Sequence, residues 1–162
     1  MSKPFQDLEE EAILNLYRTT AALQQVFADL LRPESVTPAQ YNVLRILRGA
    51  GGAGLSCREI ASRMVAHDPD MTRLLDRMEK QELVERSRAE HDRRVVTTRI
   101  AEEGLRTLQD LDGRIRDFRL RVMSPLGEDR LRTLIALLEE ARSAAGLPDS
   151  QPDGDGGPAP LS

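Results

Sequence analysis

LSCREIASRMVAHDPDMTRLLDRMEKQELVERSRAEHDRRVVTTRI, residues 55–100, is the stretch that decides the fold. Ser56-Cys57-Arg58-Glu59 is a capping box, with Ser as N-cap and Glu three positions on. The short helix it opens turns Ile60, Ala61 and Met64 inward. Asp68-Pro69 then offers a second N-cap with Pro at the first helical position, opening a helix that runs to about Gln81. Its apolar stripe is Met71, Leu74, Leu75 and Met78. Its outward face holds Asp70, Thr72, Arg73, Asp76, Arg77 and Lys80. Next the period falls to two. Leu83–Arg88 and Arg94–Ile100 are β-prone runs flanking residues 89–93, a hairpin with a charged tip. The hydroxyls and β-branches of the second run suit an edge strand.

Outward from this stretch the chain reads as helix. Leu8 to Leu31 holds no Gly or Pro, and Ile13, Leu16, Thr20, Leu23, Phe27 and Leu30 alternate spacings of three and four. That is a long amphipathic helix with a seam. Thr37-Pro38-Ala39-Gln40 starts another helix with a capping-box pattern, its face formed by Tyr41, Leu44 and Leu47. The glycine-rich run 49–54 stops it. No Gly-Lys-Ser/Thr follows that run, so it is read as a flexible connector and not as a phosphate loop. The helical period returns from Glu102 to about Met123, Pro125-Leu126-Gly127 breaks it, and Leu131, Leu134, Leu137 and Leu138 mark a last helix. Residues 147–162 have almost nothing to bury and are expected to be disordered. The expected organisation is 1–36 as a dimerisation helix, 37–100 as the central lobe, 101–146 as further dimerisation helices, and 147–162 as tail.

Composition removes several classes of function. One cysteine excludes an internal disulfide framework. With two histidines it shows no ligand spacing, so no metal and no cofactor are expected. No apolar run approaches the roughly 20 residues of a membrane span, and the acidic N-terminus is unlike a signal peptide, so a soluble cytoplasmic chain is expected. Three Phe, two Tyr and no Trp disfavour a module that stacks single-stranded bases. The net charge of −4 is segregated: residues 37–100 carry 12 basic and 9 acidic side chains, and no other stretch is positive.

A capped short helix, a tight turn and a second helix form a helix-turn-helix, and a hairpin directly after it is a wing. The major groove of duplex DNA admits one helix, whose N-terminal half reaches base edges. On the second helix that half presents Asp70, Thr72 and Arg73, with Arg77 one turn on. Arginine forms bidentate hydrogen bonds with guanine, and threonine serves base or phosphate. At the hairpin tip, Arg93 and Arg94 suit the negative potential of a narrow minor groove, with Asp92 orienting an arginine. Ser56 and His67 are weaker candidates for phosphate contact.

Leu55 to Ala61, Met71 to Glu79, Leu83-Val84-Glu85-Arg86 and Asp92-Arg93-Arg94 together resemble the winged-helix core of MarR-type regulators. The Asp-x-Arg of the wing, 16 residues beyond Asp76, is the most specific element, and flanking helices extend the resemblance over roughly residues 8–145. The resemblance implies a dimeric repressor, or occasionally an activator, on a pseudo-palindromic operator, released in many members by a small aromatic or other anionic ligand. It places the ligand cleft near Tyr17, Arg18 and Tyr41, residues that packing also explains. There are two departures. Ala101 stands where the family has a helix-capping Thr, and the first helix lacks the reactive cysteine of peroxide sensors. Cys57 is read as a buried structural cysteine.

The expectation is therefore a mainly α protein with a small β-hairpin wing, acting as a homodimeric regulator that binds double-stranded DNA, with a possible small-molecule effector and no membrane partner. No nucleophile–base set or carboxylate pair stands out to support an enzyme. The rival reading is a winged-helix protein-interaction module without DNA binding, supported by the net acidity and by Asp70 and Asp76.

Overall fold

The computed structural model describes residues 7–66, 69–88 and 96–146. Two compact units make up the chain, residues 1–38 and 39–162. The first is dominated by α1 (Leu8–Leu31). Asp7 caps it by accepting a hydrogen bond from the Glu10 amide at 2.7 Å, and three glutamates in the first turn complement the helix dipole. A short 3-10 turn, Arg32–Glu34, follows it, with Pro33 near its start. Within α1 only Leu31 is fully buried. Of the expected seam, Leu23, Phe27 and Leu30 are half-buried, whereas Ile13, Leu16 and Thr20 are exposed. The first half of that seam is uncovered among the described residues.

The second unit is a winged lobe extended by two long helices. α2 (Pro38–Gly49) buries Gln40, Tyr41, Val43, Leu44 and Leu47. α3 (Cys57–Arg63) and α4 (Met71–Lys80) follow, and then the hairpin strands β2 (Val84–Arg88) and β3 (Val96–Ile100). A two-residue strand, β1 (Leu55–Ser56), pairs antiparallel with the far side of β3, giving a sheet in the order β1-β3-β2. β3 is thus the centre of the sheet, not its edge. Two residues carry no period that a sequence pattern could reveal, which is why β1 was not expected. β2 and β3 run in register from Val84↔Ile100 to Arg88↔Val96. Thr98 alternates inward on β3 and is almost fully buried.

The glycine-rich run is tied down, contrary to the flexible connector expected. It forms a 3-10 turn, Gly51–Ala53, gripped by an arginine from the sheet. Arg99 Nε donates to the Gly52 carbonyl at 2.7 Å and Arg99 Nη2 to that of Ala53 at 3.4 Å. Gly54 passes so close that an added Cβ would lie 2.8 Å from Arg99 Cγ, and its φ of +72° also favours glycine.

α5 (Glu102–Met123) has the limits its period predicts. Its first half belongs to the lobe's core: Gly104, Leu108 and Leu111 are buried, and Arg48 of α2 grips Asp112 through two hydrogen bonds of 2.8 and 3.2 Å. The start of α5 is thus packed into the lobe. Ala101 takes the N-cap position with no side-chain cap, as its sequence implies. After the 3-10 turn Ser124–Leu126, α6 (Glu128–Ala144) has no buried residue at all. Leu134, Ile135 and Leu137 are exposed on it, as are Leu120 and Val122 on the second half of α5. No described helix is long and apolar enough to cross a membrane.

Candidate nucleic-acid interface

The first helix of the pair starts as its sequence demands. Ser56 Oγ accepts from the Glu59 amide at 3.3 Å, while the Glu59 carboxylate accepts from the Ser56 amide and hydroxyl, both at 2.7 Å. These bonds, the hydroxyl's first, hold the Glu59 carboxyl below its ordinary value of 4.5. Ser56 therefore spends its hydroxyl inside the box, which leaves little of it for a phosphate. Cys57, the first residue of α3, is half-buried and not fully buried as expected. The turn that leads out of α3 is anchored from α2, where Asn42 Oδ1 accepts from the Val65 amide at 2.8 Å.

α4 begins two residues later than predicted. Asp70, not Asp68, is its N-cap: the side chain accepts from the Arg73 amide at 3.3 Å, and φ −128°, ψ 52° put Asp70 outside the helix. Asp-Pro-Asp offers two caps in succession. Starting at Met71 brings Met71, Leu74, Leu75 and Met78 into the core, where all four are buried. At the far end, the Glu82 and Leu83 amides close onto the Glu79 and Met78 carbonyls, with Glu82 at φ +59°. Gln40 Nε2 donates to Gln81 Oε1 at 2.6 Å, fixing that end against α2.

The face opposite the stripe displays Thr72, Arg73, Arg77 and Lys80, all exposed. The Arg73 side chain is 78% accessible, and its Nε lies 3.2 Å from Asp70 Oδ2. Asp70 thus caps the helix and pairs with Arg73. Asp76 forms an ion pair with Arg86 of β2, whose second carboxylate neighbour is Glu79 at 3.8 Å. Among the described residues, no carboxylate lies within ion-pair distance of Arg77 or Lys80. The two aspartates that favoured a protein-interaction module are therefore engaged by arginines. Arg86 was missed in the sequence, because alternation places it in the wing with nothing to mark a partner ten residues upstream.

His67 and the wing-tip residues Asp92, Arg93 and Arg94 lie outside the described residues. Tyr17 and Arg18 are exposed on α1, whereas Tyr41 is buried in the lobe. No cluster of metal-ligating side chains occurs among the described residues.

Residues 36–96 match the MarR family. A solved MarR transcription factor from Planctomyces limnophilus is 36% identical, with a TM-score of 0.64, covering 83% of this chain and 98% of its own. The chain belongs to the MarR family. MarR proteins are DNA-binding transcriptional regulators, not enzymes, and the helix pair and wing described above are the family's winged helix-turn-helix. Two further solved transcriptional regulators are similar to the chain. MosR of M. tuberculosis, solved in complex with DNA, is 26% identical with a TM-score of 0.64, over 84% of this chain and 98% of its own. PcaV of Streptomyces coelicolor, solved with its natural ligand, is 27% identical with a TM-score of 0.64, over 78% and 91%.

Proposed function

We propose that this MarR-family regulator acts as a homodimer on a pseudo-palindromic operator, with α4 of each copy in the major groove and the wing over the adjacent minor groove. The observation that carries this reading is the polarity of α4. Four apolar side chains seal it to the lobe, and the face turned outward holds Thr72, Arg73 and Arg77 with its acids paired. Arg73 and Thr72 read bases, Arg77 meets base or phosphate, and Asp70 holds Arg73 in place. Asp92, Arg93 and Arg94 serve the minor groove. Two such helices on a two-fold axis span successive major grooves about 34 Å apart. The regulator represses, and a small anionic aromatic effector relieves it. The effector arm is supported by the ligand-bound PcaV structure and by the family resemblance.

The test starts by selecting bound sites from a random duplex pool, where a palindrome is the expected result. Arg73→Ala should then lose about 1–3 kcal/mol on the selected duplex and much less on random duplex. Arg94→Ala should weaken both and lower the salt slope by about one per subunit. If both variants bind the selected duplex like the parent, the groove assignments are wrong.

A further inference from the structure

α4 and its cap carry Arg73, Arg77 and Lys80 against Asp70, Asp76 and Glu79, so the helix contributes no net charge of its own. A reading helix without positive charge approaches phosphates poorly. The wing supplies the correction. Arg86 on β2 reaches back to Asp76 and lies near Glu79, while its side chain is only 21% accessible against 47% and 46% for the two acids. The guanidinium is thus the buried member of the cluster and the carboxylates its outer rim. Arg86 Nε is buried with no hydrogen-bond partner among the described residues. An unsatisfied buried donor costs stability, and an apolar side chain often fills such a site without loss, so packing alone does not account for the arginine.

We propose that Arg86 is a positioning residue for DNA binding: it holds Asp76 and Glu79 against the wing strand and offsets one of their two charges, so that Arg73, Arg77 and Lys80 dominate the potential at the groove. Strand β2 thereby completes the helix's chemistry as well as its packing. The inference rests on the assignment of α4 to the major groove.

The experiment uses the full-length chain, a labelled random-sequence duplex of about 30 bp and the duplex selected by the parent, each titrated across salt. Arg86→Met keeps the side chain's length and removes its charge. It should bind both duplexes about tenfold more weakly, with a shallower salt slope, because two unpaired carboxylates now face phosphate. Adding Asp76→Asn and Glu79→Gln to Arg86→Met should restore most of that loss, which repair of packing would not do. The same two neutral substitutions in the parent should raise affinity by less than they do in Arg86→Met, since Arg86 already offsets one of the two charges and holds both carboxylates at the wing. Parent-like binding by Arg86→Met overturns the proposal, as does a loss that the neutral pair fails to restore. Should Arg86→Met not fold, Arg86→Lys keeps the charge and should stay within about threefold of the parent; a larger loss overturns the proposal as well. Arg73→Ala separates the two readings. If it loses affinity for the selected duplex and Arg86→Met does not, only the role of Arg86 fails. If Arg73→Ala binds like the parent, the groove assignment itself fails.

Discussion

In the lobe, Leu44, Leu47, Ile60, Leu75, Met78 and Leu108 are sealed from solvent. On α6, by contrast, Ile135 and Leu137 stand 55% and 57% exposed and nothing is buried; on α1, Ile13 is 53% exposed. The two regions have comparable apolar content along their helices and use it oppositely. A soluble chain rarely leaves long apolar faces open without a partner for them. The lobe is complete within one chain, and we read the arms as surfaces completed by a second copy. A substitution in the lobe should therefore cost folding, and one on the arms should cost assembly.

The strongest way to break the lobe is at Gly104. A Cβ there would sit 2.3 Å from the Leu83 carbonyl oxygen, 2.9 Å from Leu44 and 3.0 Å from Ile100. The nearest atom is backbone, so nothing flexible can move aside. Gly104→Ala should destabilise by about 3 kcal/mol despite alanine's better helix propensity, measured by urea unfolding. A change below about 0.5 kcal/mol would mean that the start of α5 is not locked to the sheet.

The arms should respond differently. Leu137→Glu lies where the chain alone makes no buried contact, so the lobe should keep its unfolding midpoint at low protein concentration. Sedimentation should show monomers, and affinity for the selected duplex should fall about 10²-fold as two-site avidity is lost. A dimer that survives Leu137→Glu places the interface elsewhere.

How much of this was readable beforehand follows the same division. Apolar period located α5 and the buried stripe of α4, because burial inside one chain imprints itself on spacing. The Ser56–Glu59 box was legible because both partners sit within one turn. What escaped was long-range. β1 exists only because β3 offers a free side, and Arg86 finds Asp76 only after the chain turns back. Arg99 likewise finds the Gly52 carbonyl from 47 residues away. The start of α4 was misplaced for a local reason, since two equivalent caps stand two residues apart and core packing of Met71 chose between them. Of the candidate site, Thr72, Arg73 and Arg77 are exposed on the face opposite the apolar stripe, and Asp70 also caps the helix.

The smallest effects sharpen the comparison inside the lobe, between two helix starts. α3 opens with a full box, and α5 opens at Ala101 with no side chain to serve its amides. Ser56→Ala should cost about 1 kcal/mol and Ala101→Ser should return a similar amount, both read from urea midpoints at neutral pH. Acid should narrow the first difference and spare the second. The Glu59 carboxyl is held below its ordinary 4.5 by the Ser56 hydroxyl and then the Ser56 amide. A group depressed in the folded state contributes stability that is fully present above its unfolded value and lost as pH falls through its folded value. The gap between parent and Ser56→Ala should therefore be constant from neutrality down to about pH 5 and narrow below about pH 4. No carboxylate takes part in the serine cap installed at position 101, so its gain should persist there. If the two differences track each other with pH, the Glu59 half of the box contributes nothing, and the serine hydroxyl alone is the cap.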